Sequence, residues 1–269
     1  MKISNIIRES IKNDTLFLEP IEISKKYKIC LSTVYNIKKS ENIESKIPNK
    51  KYNLNDEYFE NIDTEEKAYW LGFLYADGYV RIKDGRSGEL RLKLKTGDRK
   101  HIELFNKHIG SDYNIKDITT NVKGVDSFAS FVSIYNTKLV NDLIKHGCVS
   151  KKSFIVEFPN IDKSLERHFI RGFFDGDGWF FIRKIKNGIY PNFGICSASK
   201  IIIDQIYKIL ENNNIICRFE RSGVTYRVCN TCNDYMEKIH NYLYSNSSVY
   251  LDRKFNIFSD YLSDKKPLI

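Results

Sequence analysis

No hydrophobic run in this chain approaches the roughly 18 residues of a membrane span. Its first residues, MKISNIIRES, have no apolar signal-peptide core either. These absences argue against a membrane protein or a secreted one. A soluble protein of the cytoplasm, nucleoid or an organelle matrix is expected. The six cysteines are scattered. Cys229 and Cys232 make a lone CxxC, with no second CxxC and no nearby histidine pair to complete a zinc site. They read as ordinary thiols of a reducing compartment.

What is present is a globular composition: 42% hydrophobic and 13% aromatic over 269 residues, enough for one large domain or two ordinary ones. The balance is basic, 43 Lys and Arg against 34 Asp and Glu, a formal charge of +9. Such an excess points to a polyanion: DNA, RNA or an anionic membrane surface.

Residues 1–42 read as a small helical unit. IIRESIKN forms a first helix, and Pro20 opens a second at the position proline favours. LSTVYNIKKS forms a third, with Ser32 or Thr33 near its N-cap. This order resembles a helix-turn-helix, although its turn has no glycine. Ser32, Thr33, Tyr35, Asn36, Lys38 and Lys39 on the last helix are then candidates for base and phosphate contacts. Residues 43–62, rich in Asn and Lys and without a period, read as a linker.

From Asp63 a pattern runs and then repeats. Asp63 and Glu66 suit a capping box for the helix ending in YADG. Two strands, a helix, two strands and a helix follow; the same order then restarts at LERHFIRGFFDGDG. The two half-domains, 63–157 and 158–269, are expected to be pseudo-symmetric αββαββα units of an α+β fold. Each opening helix carries a small-xxx-small face, Gly72 and Ala76 in one, Gly172 and Gly176 in the other, which permits close approach of two helix backbones. Packed together in parallel, the helices would bring Asp77 and Asp177 to one place, 100 positions apart in sequence (177 minus 77). Two carboxylates beside two helix C-termini are costly without a cation, and oxygen ligands select a hard divalent ion such as Mg²⁺. Taken singly, each Asp-Gly could be only a helix-ending turn.

The strands that follow add a surface. Tyr79, Arg81 and Lys83 alternate with Val80 and Ile82, and Arg91, Lys93 and Lys95 with Leu90, Leu92 and Leu94. This is a sheet with one apolar face and one cationic face, able to lie in a DNA groove. The second half's outward set (Trp179, Phe181, Arg183, Asn192 and Gly194) is less basic, which suits an asymmetric target.

WLGFLYADG (Trp70 to Gly78) and IRGFFDGDG (Ile170 to Gly178) resemble the nine-residue signature of LAGLIDADG homing endonucleases, of the single-chain kind with two motifs. The resemblance covers about residues 63–269. It implies a DNA-binding saddle, a monomer, a double-stranded DNA target, and Asp77 and Asp177 as ligands of two or more Mg²⁺ ions, with Mn²⁺ able to substitute. It also implies a lysine after the last helix of each half. Lys152 aligns with Lys254, and Lys151 and Arg253 stand beside them. Thr96 and Ser197 fall near the family's polar position after the second strand. Tyr75, Leu71 and Arg171 depart from the signature, and Asp175 is expected to be structural. Two other functions suit the fold: a maturase acting on intron RNA, and a regulator that binds DNA without cutting it.

Overall fold

The computed structural model describes residues 5–15, 18, 20–41, 43, 52–82, 87–122, 124–150, 154–186 and 188–264. They form two compact units, Met1–Asn53 and Leu54–Ile269.

In the first unit, α1 (Asn5–Asp14), α2 (Pro20–Lys26) and α3 (Leu31–Ser40) enclose a core of Ile11, Ile23, Val34 and Ile37. Pro20 begins α2, where its missing N–H costs nothing. The turn into α3 manages without glycine because Lys28 takes φ 48°. The N-cap of α3 is Cys30, not Ser32 or Thr33; both hydroxyls lie against its thiol instead. Ser32, Tyr35, Asn36 and Lys39 are exposed, and Thr33 and Lys38 half-buried, so α3 shows a polar face opposite Val34 and Ile37.

The second unit contains the duplication. Its first half runs α4 (Glu65–Asp77), β1 (Gly78–Arg81), β2 (Glu89–Lys95), a 3-10 turn (Thr96–Asp98), α5 (Arg99–His108), β3 (Lys116–Val122), β4 (Val125–Tyr135) and α6 (Thr137–Lys145). Its second half runs α7 (Lys163–Asp177), β5 (Gly178–Ile185), β6 (Gly188–Ser197), α8 (Lys200–Asn212), β7 (Arg218–Ser222), β8 (Thr225–Asn230) and α9 (Asn233–Tyr244). Both sheets are antiparallel, in the orders β1-β2-β4-β3 and β5-β6-β8-β7. A final helix, α10 (Asp252–Ser263), extends the αββαββα pattern.

Alternation decides which face of each sheet is covered. Leu90, Leu92, Val132 and Ile134 point inward onto Ile102, Phe105, Leu139 and Leu143; Phe193, Ile195 and Val228 do the same onto Ile202, Ile206 and Met236. Burying each such side chain contributes about 1.5–3 kcal/mol. One continuous apolar core therefore serves both halves.

Two local expectations shift and a third holds. The cap of α4 is Thr64, whose side chain accepts from Lys67 N–H, while Asp63 instead pairs with the Lys67 ammonium at 2.7 Å. The segment from Leu54 is not a free tether: Phe59 is fully buried in the main core and Asn55 N–H bonds to the Ile109 carbonyl. The CxxC pair does not act together, for Cys229 is buried and Cys232 exposed, and both are free thiols.

Candidate active site and nucleic-acid interface

The two motif helices touch backbone to backbone. A Cβ on Gly72 would stand 2.0 Å from the Phe169 carbonyl oxygen, and one on Gly172 would stand 1.9 Å from that of Tyr69. The reciprocity (72 against 169, 172 against 69) is that of a local two-fold axis between α4 and α7. Nearer the tip, a Cβ on Gly176 would meet the Ala76 Cβ at 2.3 Å and the Asp77 carboxylate oxygen Oδ2 at 3.5 Å. The four small residues singled out in the sequence therefore form one seam. The Asp77 side chain lies against the last turn of the opposite helix.

Asp77 and Asp177 are exposed, each the last residue of its helix and followed at once by a sheet's first strand. Between them and the core sits Lys254. It is not a surface lysine on a loop: it lies in the first turn of α10 and is 6% exposed. Its ammonium donates to the Phe174 carbonyl at 2.6 Å, to that of Gly176 at 3.4 Å and to that of Gly178. A cation thus caps the C-terminal end of α7, where the helix dipole is negative. Burial pushes its pKa down to about 8, while Asp175, Asp77 and Asp177 all draw it back up. Both motif aspartates thus lie near enough to this one ammonium to attract it. Arg253, its neighbour, is committed elsewhere: its Nε donates to both Asp98 oxygens, at 3.0 and 2.9 Å. A cleft of about 580 Å³ opens at this contact, lined by Thr96, Asp98, Lys100, Tyr250, Arg253 and Asn256 among others. Ser197 is half-buried and accepts from Ser199 N–H. Lys152 and Lys151 lie outside the described residues, as does Lys83.

The open face of the first sheet carries Tyr79, Arg81, Arg91, Lys93 and Lys95, as the alternation requires. It is not uniformly cationic. Glu89 stands on the same face, 4% exposed, and pairs with Arg81 at 2.9 Å and Arg91 at 2.6 Å. On the second sheet, Arg183 and Phe181 are exposed. Trp179 lies over Gly194, where a Cβ would be 2.2 Å from the indole, and its N–H donates to Asn192 at 2.6 Å. Asn192 is therefore engaged in holding Trp179.

Residues 164–246, within the second half, match the family model described as a LAGLIDADG-like domain. The chain is also similar in fold to solved structures of homing endonucleases and meganucleases. The homing endonuclease I-GzeII, solved in complex with its DNA target, is 10% identical, with a TM-score of 0.50 over 73% of this chain and 88% of that one. The meganuclease I-AabMI, bound to uncleaved DNA, is 14% identical, with a TM-score of 0.50 over 75% and 93%. I-WcaI, bound to its DNA recognition sequence, is 12% identical, with a TM-score of 0.51 over 74% and 90%. At these identities the likeness is one of fold. No curated protein sequence matches the chain.

Within the two motif helices, Asp175, Tyr75 and Arg171 all make structural bonds. Asp175 is buried and accepts from the hydroxyls of Tyr69 (2.8 Å) and Tyr244 (3.0 Å) and from Leu251 N–H (2.8 Å). It thereby ties the start of α10, and so Lys254, to the seam. Burial raises its pKa. Tyr75, at the matching position of the first motif, does the corresponding task with reversed polarity: its hydroxyl donates to the His146 carbonyl, in the turn after α6. Arg171 is fully buried and crosses the seam to Glu65 at 2.7 Å, with further bonds to the Leu243 and Val249 carbonyls. Asp175 and Arg171 thus each bind across α4 and α7. Nothing in the sequence signals these pairings, because partners such as Glu65 and Arg171, or Tyr69 and Asp175, lie 106 residues apart and follow no period.

Two histidines stand beside this network. His101 hydrogen-bonds to Tyr69, and burial pushes its pKa down to about 3; His168 contacts Arg171, and burial pushes its pKa down to about 4. Both values lie below the ordinary 6.5 or so of an unfolded histidine, so the unfolded chain binds more protons as pH falls through that range. Their contribution to stability is complete above about pH 6.5 and is lost toward pH 4 and below. Buried Asp175, its pKa raised, acts in the opposite sense. Denaturant unfolding of wild type and His101→Gln isolates the histidine effect. Wild-type stability should decline from pH 6.5 to 5, and more steeply than the variant's. Equal slopes would contradict a buried neutral His101.

Proposed function

We propose that this protein is a site-specific DNA endonuclease of the homing type, cutting one phosphodiester on each strand of a long, asymmetric duplex site. One observation carries the reading: two carboxylates, Asp77 and Asp177, end two helices packed at backbone contact, act on the same buried lysine, and stand at the root of two open-faced sheets. The solved structures of this fold named above hold DNA, which supports the same reading.

Arg81, Arg91, Lys93 and Lys95 on one sheet, and Arg183 with the Trp179–Asn192 pair on the other, would meet the groove and fix the register. Lys93 and Lys95 supply point charges for phosphates. The polar face of α3, with Ser32, Thr33, Tyr35 and Lys38, would extend the bound site, in the manner of a recognition helix. The chain would act as a monomer, since both halves of the site are in it.

The donor set fits a hard divalent cation. Asp77 and Asp177 offer carboxylate oxygens at negative helix ends, and the carbonyls of Ala76 and Gly176 stand next to them. Among the described residues no group of three or more His, Cys, Asp or Glu is placed to hold a metal, so phosphate and water oxygens would complete the coordination. When bound, Mg²⁺ would neutralise charge on the attacking and leaving oxygens. In the reaction a water oxygen bonds to phosphorus as the bond to the 3′ oxygen breaks, and that oxygen takes up a proton. Lys254, through the Gly176 and Gly178 carbonyls, holds the end of α7 and therefore Asp177 in place. Lys152 remains the candidate for contact with the scissile phosphate.

Cleavage selection on a randomised duplex library with Mg²⁺ tests the proposal. A defined site cut on both strands, with no cutting in EDTA, is the expected result. A protein that cuts no duplex in the library while binding structured intron RNA tightly would replace it with the maturase reading.

A further inference from the structure

On an open sheet face a glutamate is ordinarily solvated. Glu89 is 4% exposed, although it stands on the outward face of β2. What covers it are the two arginines it binds: one carboxylate oxygen accepts from Arg81 Nη2 at 2.9 Å, the other from Arg91 Nη2 at 2.6 Å. Arg91 is held a second time, its Nε donating to Ser133 Oγ at 2.9 Å. The Tyr79 ring lies 5.8 Å from the Arg81 guanidinium and 6.0 Å from that of Arg91. Both arginine side chains still keep about two-fifths of their surface, 38% and 43%. Neither Nη1 makes a hydrogen bond among the described residues.

A buried carboxylate with two guanidiniums differs from a surface ion pair. The carboxylate's two oxygens are both used, so neither arginine can leave without stranding a buried charge. Each guanidinium is thereby fixed in direction and still presents N–H donors outward. A planar donor fork held in one orientation matches the paired N7 and O6 acceptors that guanine shows in the major groove, and no other base offers that pair. Lys93 and Lys95, on the same face, make no ion pair among the described residues; they suit phosphates, which carry no sequence information. The second sheet has only a looser counterpart. There Glu220 is 31% exposed and stands 3.5 Å from Arg218, although 2.7 Å from Arg227.

We propose that Glu89 is a positioning residue for sequence recognition: it fixes Arg81 and Arg91 as two forks, each specifying a guanine in the half-site read by the first sheet. The inference rests on the DNA-cleaving function proposed above. It adds that a glutamate, a residue that repels phosphate, determines base choice.

Binding selection on a randomised duplex library without divalent cations, for wild type, Arg81→Ala, Arg91→Ala and Glu89→Gln, tests it. Wild type should select guanine at two positions of one half-site. Each arginine variant should lose one of them, with discrimination falling roughly 5- to 150-fold. Glu89→Gln, isosteric and one negative charge poorer, should relax both positions at once while sequence-independent affinity is unchanged or higher. A Glu89→Gln protein that is uniformly weaker, with its base preferences intact, would make Glu89 merely structural and overturn the inference alone. A wild type that binds duplex DNA without preference at the Arg81 and Arg91 positions would overturn it too. A wild type that does not bind duplex DNA would remove the proposed function, and the inference with it. Thermal unfolding of each variant separates these results from misfolding.

Discussion

Asp177→Asn should leave the protein folded and bound to DNA while strand cleavage falls by at least about a thousandfold, the scale of losing several kcal/mol of charge stabilisation at the phosphate. Asparagine keeps the shape of aspartate and removes its charge. Asp177 is exposed at the end of α7, so its replacement disturbs no packing. Stability should change by less than about 1 kcal/mol, because losing the charge relieves its opposition to the helix dipole and also removes its attraction for Lys254. A large loss of activity with little change in stability is the signature of a residue kept for chemistry. Asp77→Asn should behave alike, since Asp77 ends α4 in the same way. Plasmid cleavage, with nicked and linear products resolved, together with a melting curve, provides the measurement. Wild-type cutting by Asp177→Asn would refute the assignment.

Gly172→Ala should have the largest effect on folding, a loss of at least about 3 kcal/mol, beyond the usual range for one added methyl. The new carbon would sit 1.9 Å from the Tyr69 carbonyl oxygen and 2.8 Å from the Phe73 amide nitrogen. Both are backbone atoms, which a rotamer change cannot move aside. The two helices would have to part, and the core that spans both halves would open with them. Gly72→Ala should cost a similar amount, for its Cβ meets the Phe169 carbonyl at 2.0 Å. Gly97→Ala serves as the control, because nothing lies within 4 Å of its Cβ position. Urea denaturation of the three variants gives the comparison. A Gly172→Ala protein as stable as Gly97→Ala would show that α4 and α7 do not meet at this point.

The seam was legible in the sequence because its signal is local and duplicated. Gly72, Ala76, Gly172 and Gly176 recur at helical spacing, before an aspartate, in two copies. The strands were legible for a similar reason: Leu90, Leu92 and Leu94 alternate with charge, and one face had to be covered. Glu89 was overlooked because the same alternation continues one step back into the turn, where the period no longer identifies a strand. The helix that carries Lys254 is hard to read from DRKFNIF, because it begins with no side-chain cap. The lysine's burial depends on Asp175 binding Leu251, a contact between residues 76 positions apart in the second half. The Thr64 cap was missed by a single residue, which is the ordinary uncertainty of a helix end.

The network across the seam also determines which half-domain can accept which. Asp175 depends on the Tyr69 hydroxyl and Arg171 on the Glu65 carboxylate, both from the first half. A shift of 100 positions shows what the second half would offer to a copy of itself: Phe169 where Tyr69 stands, and Leu165 where Glu65 stands. A homodimer of second halves would bury a carboxylate against a phenyl ring and a guanidinium against leucine, each without its partner across the seam. The two halves are therefore not interchangeable modules. A chimeric nuclease built by exchanging one of them must carry Glu65 and Tyr69 along with the half that contains Arg171 and Asp175, or the exchanged pair will reject each other.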